Sequence, residues 1–159
     1  LAIILKEVSE LYRNKIKFRI FASDQSKEQI SIAQKGFYSI RSLNNVSLAR
    51  LNKWFALSDN HNYEISSELK QCIEFSAFDL FNNEFNFPAT SIYGDFDLVF
   101  CANLLYYYKP FYQKKILDKM SLGLSEGGYV VTGEIERDVL LTNNYKEVFP
   151  YSEINKKNF

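Results

Sequence analysis

The sequence is poor in the residue types from which many catalytic and metal sites are built. Its 159 residues include one histidine, two cysteines and six glycines. Cys72 and Cys101 are far apart, and His61 lies in the polar run SDNHN, so the spacing of a zinc site is absent. A cysteine–histidine nucleophile has no supporting signature. The glycines form neither a G-x-G-x-x-G motif nor a phosphate-binding loop, which argues against those nucleotide sites.

The sequence also lacks an excess of either charge and any long apolar run. Lysine plus arginine and aspartate plus glutamate number 19 each, which gives a formal net charge of zero. This balance argues against a nucleic-acid partner and against a polybasic membrane patch. Without a signal peptide, a spanning segment or a required disulfide, we expect a cytoplasmic setting and no direct membrane insertion.

Apolar residues recur at helical and at strand spacing, in alternation, along the chain. This spacing predicts helices at the start of the chain and over residues 27–35, 47–55 and 111–124. It predicts extended segments over residues 18–24, 62–66, 68–72 continuing into 73–78, 96–101 and 129–133, and then a closing hairpin. We therefore predict one α/β domain over residues 1–159, doubly wound around a mostly parallel sheet with a C-terminal antiparallel hairpin.

Several finer expectations accompany this topology. A capping box at Ser26 and a stop at Gly36 bound the helix over residues 27–35. The uniformly apolar FDLVFC predicts a central strand buried on both faces. Residues 81–94 read as a loop, and the glycine pair at 127–128 is expected to turn the chain into the next strand. The chain opens inside a helix without a preceding strand, which suggests a fragment.

Two of the predicted strands end on an aspartate, at the edge of a parallel sheet where ligands bind. Asp24 follows FRIFAS and can accept two hydrogen bonds from a ribose diol, but it equally suits a turn that caps the next helix. Asp79 follows IEFSAF and could accept from the exocyclic amine of adenine, although alone it reads as an ordinary loop aspartate.

The FDLVFC strand is followed by Asn103, Leu104 and a run of tyrosines at 106–108. An amide can orient a ligand through both a donor and an acceptor, and the leucine could pack on a ring. At least one of the three tyrosines must pack away from a cleft. Glu134 and Glu136 follow the next strand and could face a cleft rim, although solvated carboxylates are the commoner outcome.

Together these segments resemble the C-terminal catalytic domain of the CheR-type methyltransferases, a Rossmann-like class I fold. FRIFASD is similar to the family segment that ends in an acidic ribose ligand. QKGFYS, LARLNKWF and NYEISSELKQCIEFSAFDLF are similar to the stretches that follow it in the same order. CANLLYYY resembles the family's C-R-N-(apolar)₃-Y-F signature, and GGYVVTGEIE resembles its G-G-(apolar)₃-G-H-S-E. The resemblance covers nearly the whole chain.

The resemblance implies a methyltransferase that uses S-adenosylmethionine and acts on a chemoreceptor glutamate or another protein carboxylate. It implies a set of cofactor-binding residues, which are Asp24, Asp79, Leu80, Asn103 and Leu104. It implies a catalytic role for Tyr107 on the methyl-transfer side. A carboxylate acceptor is already nucleophilic at neutral pH, so catalysis would rest on positioning and electrostatics and would need no general base.

The sequence departs from the family pattern at several points. Ala102 stands where the family has arginine, and Glu134 stands where it has histidine, which weakens the case for an acidic acceptor. The family's first strand and Gly-rich cofactor loop are missing from the sequence, so we expect this chain alone to be inactive. Two alternatives therefore stay open: a degenerate methyltransferase-like binding module, and a methyltransferase that acts on another carboxylate or a small molecule.

Overall fold

The computed structural model describes residues 1–58, 61–91 and 94–157. The chain forms two compact units, Leu1–Phe78 and Asp79–Phe159, which we call the first and second unit. Both combine helices with strands, so the predicted α/β class is confirmed, and the described sheets include parallel and antiparallel pairs. The doubly wound parallel arrangement stays a prediction. Among the helices in the described ranges, none has the length and apolar character needed to cross a membrane.

The first unit contains one parallel strand pair and one small antiparallel sheet. Its helices are α1 (Ala2–Leu11), α2 (Lys27–Lys35), α3 (Leu48–Trp54) and α4 (Ser67–Lys70), with a 3₁₀ turn at Ile40–Leu43. Its strands are β1 (Ile20–Asp24), β2 (Phe37–Ser39), β3 (Phe55–Leu57), β4 (Asn62–Ile65) and β5 (Ile73–Ala77). β1 and β5 run parallel with Asp24 opposite Ala77, so both strands end at the same edge. The antiparallel sheet has the order β2-β4-β3.

Serine side chains begin several helices of this unit, as their sequence pattern predicts. Ser26 Oγ accepts a hydrogen bond from the Gln29 N–H at 3.2 Å, and Gly36 ends α2 with a φ of 70°. Ser47 Oγ likewise accepts from the Arg50 N–H at 3.4 Å at the start of α3. The predicted bounds of α2 are therefore confirmed, and those of α3 are confirmed within one residue at each end.

The prediction of an extended segment over residues 68–72 is wrong, because α4 occupies most of it. Ser66 Oγ accepts from the Leu69 N–H at 3.4 Å and starts this short helix. The helical turn directs Leu69 into the interior, where its side chain is fully buried. The buried apolar side chains of the first unit are Ile30, Leu43, Trp54 and Leu69.

The second unit is built on a four-stranded mixed sheet. Its strands are β6 (Phe96–Cys101), β7 (Leu124–Thr132), β8 (Tyr145–Glu147) and β9 (Ile154–Lys157). Its helices are α5 (Pro110–Gly123) and α6 (Arg137–Leu141), with 3₁₀ turns at Leu105–Tyr107 and Glu134–Glu136. The strand order is β6-β7-β9-β8, in which β6 and β7 are parallel and the other pairs are antiparallel. The predicted closing hairpin is confirmed.

One cluster forms the core of the second unit. The apolar face predicted for residues 111–124 supplies much of it, through α5 and the first residue of β7. The members of the cluster are Leu105, Ile116, Leu117, Met120, Leu124, Val130, Leu140 and Tyr145. Leu105 belongs to the segment that follows β6, so this core also anchors a strand end that was predicted to carry ligand-binding residues.

Two strand predictions need correction. β6 is not buried on both faces, because Phe100 is 57% exposed and β6 pairs with β7 alone among the described strands. The glycine pair does not turn the chain into a new strand, because β7 runs through it. Gly127 has a φ of 77°, and a Cβ on Gly128 would lie 2.9 Å from the Phe96 carbonyl oxygen. The glycines therefore permit a bulge and a close backbone approach. In the described parts of 81–94, no helix or strand forms, as predicted.

Candidate functional site

Asp24 ends β1 with an exposed carboxylate. Its Oδ1 accepts a hydrogen bond from the Ser26 N–H at 2.8 Å, which makes a tight turn just before α2. Its backbone oxygen accepts from the Phe78 N–H at 2.9 Å, which ties it to the residue after β5. The structure therefore contains the turn that was predicted as the alternative role of Asp24, and one of the two carboxylate oxygens forms it. A two-oxygen carboxylate can serve a turn and a ligand together.

Asp79 and Leu80 lie at the start of the second unit. Asp79 is exposed, and its Oδ1 accepts from the Phe81 N–H at 2.8 Å in another tight turn. Leu80 is half-buried and packs against the core of this unit. Lys119 Nζ, on α5, donates to the carbonyl oxygens of Asn82 and Phe85 and so links the loop after Leu80 to that helix. Burial lowers the pKa of Lys119, and the charge of Asp79 acts in the opposite direction.

Asn103 and Leu104 follow β6 in a bent segment, residues 102–106, which we call the β6 loop. Asn103 is exposed and has a φ of 60°, a left-handed conformation that asparagine tolerates better than most residues. Leu104 is half-buried, and Leu105 is fully buried in the core. Gln113 Nε2 donates to the Leu105 carbonyl at 3.0 Å. The loop thus exposes an amide side chain while its next residues are anchored.

The side chain of Glu136 accepts hydrogen bonds from the backbone of the β6 loop. Its side chain has no exposed surface, and Oε2 accepts from the Asn103 N–H at 2.8 Å. Oε1 accepts from the N–H groups of Leu105 at 2.6 Å and Tyr106 at 3.3 Å. Oε2 also accepts from the Gly133 N–H at 2.8 Å. The expectation of a solvated carboxylate is therefore wrong for Glu136, whereas Glu134 is exposed.

Sequence reasoning missed this role, although one local signal was available. Glu136 is the third residue after Gly133, and that spacing lets a glutamate side chain return to the backbone N–H that begins a helical turn. The contacts with the β6 loop have no such local signal, since they join residues 30 or more positions apart.

The three tyrosines after β6 have different environments. Tyr107 is 69% exposed, and its ring centroid lies 3.9 Å from that of Tyr106. Tyr108 is half-buried and makes an edge contact with Phe81, with 5.3 Å between ring centroids. Tyr108 therefore packs against the core of the second unit, and which of the three rings points away from a cleft stays a prediction. Two phenols remain accessible beside the β6 loop.

Chemistry based on metals or thiols finds no support in the described residues. No group of three or more histidine, cysteine, aspartate and glutamate side chains there could hold a metal ion. Both cysteines are free thiols, and His61 is exposed. Burial, assisted by the charge of Glu136, raises the pKa of Cys101 to about 12. This thiol therefore stays protonated at neutral pH and is a poor nucleophile.

The candidate residues fall into two groups. Asn103, Leu104 and Tyr107 share the segment after β6, and Leu80 packs on the same core as Leu105. Asp24 belongs to the first unit, at the shared end of β1 and β5. Asp24, Asp79 and Asn103 each lie at or just after the carboxyl end of a strand, and all three are exposed. An α/β protein with exposed carboxylates and an amide at its strand ends has the layout of a small-molecule-binding enzyme.

Comparison with known families defines the chain further. It matches the family described as CheR methyltransferase, SAM binding domain, over residues 1–154. The chain therefore belongs to the CheR methyltransferase family, and its cofactor is S-adenosylmethionine. The predicted resemblance is confirmed at the level of the family.

The names of curated relatives agree with this assignment. The chain is 27% identical to chemotaxis protein methyltransferase 2 of Vibrio cholerae over 76% of its own length and 41% of that protein. It is 29% identical to the probable chemotaxis protein methyltransferase of Rhizobium etli, over 83% of the chain and 47% of the relative. It is 28% identical to the chemotaxis protein methyltransferase of Salmonella typhimurium, over 76% of the chain and 41% of the relative. The chain thus spans less than half the length of these relatives.

Proposed function

We propose that the protein is a protein-glutamate O-methyltransferase that transfers a methyl group from S-adenosylmethionine to chemoreceptors. The observation that carries this proposal is the set of exposed polar residues at strand ends, in a chain that matches the CheR family over residues 1–154. The names of the relatives, which are chemotaxis protein methyltransferases, support the choice of acceptor. Residues 1–159 would work as one cofactor-dependent domain in the cytoplasm.

The side chains present suit the groups of the cofactor. The exposed carboxylate of Asp24 fits a ribose diol, since a carboxylate accepts strong hydrogen bonds from hydroxyl groups. Asp79 offers an acceptor for the exocyclic amine of adenine, and the half-buried Leu80 and Leu104 offer apolar surface for its ring. Asn103 adds an amide that can donate and accept. We assign these five residues to cofactor binding.

When bound, the cofactor supplies an electrophilic methyl group on a sulfonium sulfur. The acceptor glutamate is ionised at neutral pH, so the protein needs no base to activate it. Its residues instead fix the positions of the reacting groups, which can supply a large part of a rate enhancement. We assign Tyr107, whose phenol is exposed beside the β6 loop, to the methyl-transfer side of the site.

The first test is calorimetric titration of S-adenosylhomocysteine into this chain and into the full-length protein. Saturable binding to the full-length protein is the expected result. If only the full-length protein binds, residues outside this chain are needed to complete the site. If neither binds, the enzyme assignment is wrong and a binding module without cofactor becomes the better explanation.

The second test identifies the acceptor. Full-length protein is incubated with methyl-labelled S-adenosylmethionine and membranes that contain chemoreceptors with glutamate, or with glutamine, at the methylated positions. We expect alkali-labile label on the glutamate form alone, because a methyl ester is hydrolysed by base. Label on a different protein or on a small carboxylate would instead move the proposal to that acceptor. This outcome is worth testing because Ala102 and Glu134 stand where the family pattern has arginine and histidine.

A further inference from the structure

We propose that Glu136 is a positioning residue for the cofactor: its buried carboxylate sets the conformation of the β6 loop, from which Asn103 and Leu104 reach the ligand. The inference rests on the proposed function, because it takes Asn103 and Leu104 as cofactor contacts. Glu136 itself, with no exposed surface, acts through the backbone of the loop.

The geometry of the carboxylate supports this role. Both oxygens are used, and they accept from four backbone N–H groups at 2.6–3.3 Å, those of Asn103, Leu105, Tyr106 and Gly133. Three of these donors are in the β6 loop. Converging N–H dipoles stabilise a buried negative charge, and the charge in turn holds the donors in one arrangement.

The β6 loop needs such an anchor because its backbone is not in a regular conformation. The φ of 60° at Asn103 lies in the left-handed region, which asparagine adopts more readily than most residues but which still gains from support by its surroundings. The Asn103 N–H points to Glu136 Oε2, so the carboxylate acts directly on the residue with the unusual backbone. Loss of this contact should let Asn103 relax and should move its amide side chain.

Gly133 completes the arrangement by allowing the two loops to approach. A Cβ on Gly133 would lie 2.6 Å from Asn103 Oδ1 and 3.1 Å from Glu136 Oε2. The turn that carries Glu136 therefore also contacts the side chain assigned to the cofactor. This contact links the position of Glu136 to the rotamer of Asn103 as well as to its backbone.

A purely stabilising role would not need a carboxylate here. Replacing a buried charge by a well-packed apolar side chain is often neutral or stabilising, so a buried charge is weak support for a role in stability alone. Here the charge is fully buried, and three of its four donors belong to the loop that carries the exposed Asn103. The arrangement fits a site that must be preorganised.

The test uses the full-length protein and titration with S-adenosylhomocysteine. Glu136→Gln keeps the shape of the side chain but turns one acceptor into a donor that faces backbone N–H groups. We expect the affinity to fall by about tenfold or more, as for loss of hydrogen bonds to a charged group. Glu126→Gln, which neutralises an exposed carboxylate on β7, should change it less than about twofold.

A double-mutant cycle separates positioning from general stability. If Glu136 acts through the β6 loop, Asn103→Ala combined with Glu136→Gln should weaken binding no more than about twofold beyond the worse single variant, because coupled residues are non-additive. Fully additive losses would overturn the inference. Tyr145→Phe, which removes a buried hydroxyl bonded to Ser121 at 2.6 Å, is a stability control that should leave the affinity unchanged.

Amide hydrogen exchange of the unliganded protein tests, independently of any ligand, whether Glu136 anchors the β6 loop. In Glu136→Gln the N–H groups of Asn103, Leu105 and Tyr106 should exchange at least about tenfold faster, while those of β7 and β9 keep their protection. Unchanged exchange would overturn the anchoring.

If the wild-type protein does not bind S-adenosylhomocysteine, the proposed function and the cofactor role of Glu136 both fail, and exchange alone reports whether the loop is anchored. If wild type binds but Asn103→Ala binds equally well, only the assignment of Asn103 fails, and with it this inference.

Discussion

Asp24 in the first unit and Asn103 in the second are both exposed polar residues at the end of a parallel strand, yet their surroundings differ. Asp24 is held by a turn of its own making, in which its carboxylate accepts from the N–H two residues further on. Asn103 is held by Glu136, 33 residues away, on a different turn of the second unit. The strand end at Asp24 is therefore held by a contact within its own turn, and the strand end at Asn103 by a residue distant in sequence.

The difference has physical consequences for both regions. A local turn at the surface depends on a few neighbouring residues, and its hydrogen bond competes with water, so its net contribution to stability is small. The β6 loop depends on a buried carboxylate and a core leucine, so its disruption exposes unsatisfied donors in an apolar interior. We therefore expect substitutions near Asn103 to affect stability and binding together, and substitutions at Asp24 to affect mainly binding.

The largest effect should come from Glu136→Ala. The substitution leaves four backbone N–H groups without their acceptor in a buried site, and we expect the free energy of unfolding to fall by roughly 3–5 kcal/mol. Urea denaturation followed by circular dichroism measures this loss. Glu126→Ala, at an exposed position on β7, is the matched control and should change stability by less than about 0.5 kcal/mol. A loss below about 1 kcal/mol for Glu136→Ala would mean that water replaces the carboxylate and that the two strand ends differ little.

Leu105→Ala should have the next largest effect, because Leu105 anchors the β6 loop in the core with no exposed surface. A buried leucine replaced by alanine typically costs about 2–5 kcal/mol of unfolding free energy. Leu122→Ala is the matched control on α5, where the leucine is 66% exposed and alanine is a good helix former. Equal effects of the two substitutions in denaturant unfolding would contradict the anchoring of the loop by the core.

Gly133→Ala tests the close approach of the two loops in the second unit. The new Cβ would lie 2.6 Å from Asn103 Oδ1, and we expect this overpacking to cost about 1–3 kcal/mol. Asn103→Gly removes the clashing oxygen and tolerates the φ of 60°, so the double variant should recover most of the stability in thermal unfolding. A double variant as unstable as Gly133→Ala alone would place the strain at Glu136 Oε2 instead, 3.1 Å from the same Cβ.

The same contrast explains how much of the fold could be predicted from the sequence. The bounds of α2 follow from Ser26, Gln29 and Gly36, whose hydrogen bonds and backbone angles are decided within a few residues. The apolar face of residues 111–124 was also predictable, because helical periodicity is a local property. α4 was missed because a short apolar and polar mixture suits a strand or a helix, and the burial of Leu69 decides between them.

The candidate site divides in the same way. Positions such as Asp24 and Asn103 could be proposed because they follow apolar strands, and resemblance to the family assigned their roles. The burial of Glu136 could not be proposed, because it depends on the parallel pairing of β6 with β7, which brings the ends of the two strands together. The bulge at Gly127–Gly128 has a similar origin, in the approach of Gly128 to the Phe96 carbonyl.

Asp24→Ala should have the smallest effect on stability and the clearest effect on function. Its carboxylate is exposed and makes one turn hydrogen bond, so we expect a loss of about 0.5–1 kcal/mol in urea unfolding. If Asp24 also binds the ribose, the affinity of the full-length protein for S-adenosylhomocysteine should fall by more than about fivefold, which corresponds to about 1 kcal/mol. Asp24→Asn is the informative control, because an asparagine oxygen can still accept from the Ser26 N–H but carries no charge. A normal turn with weakened binding in Asp24→Asn would assign the carboxylate to the ligand. Unchanged affinity in both variants would leave Asp24 with its turn alone, and the locally organised strand end would then have no part in the site.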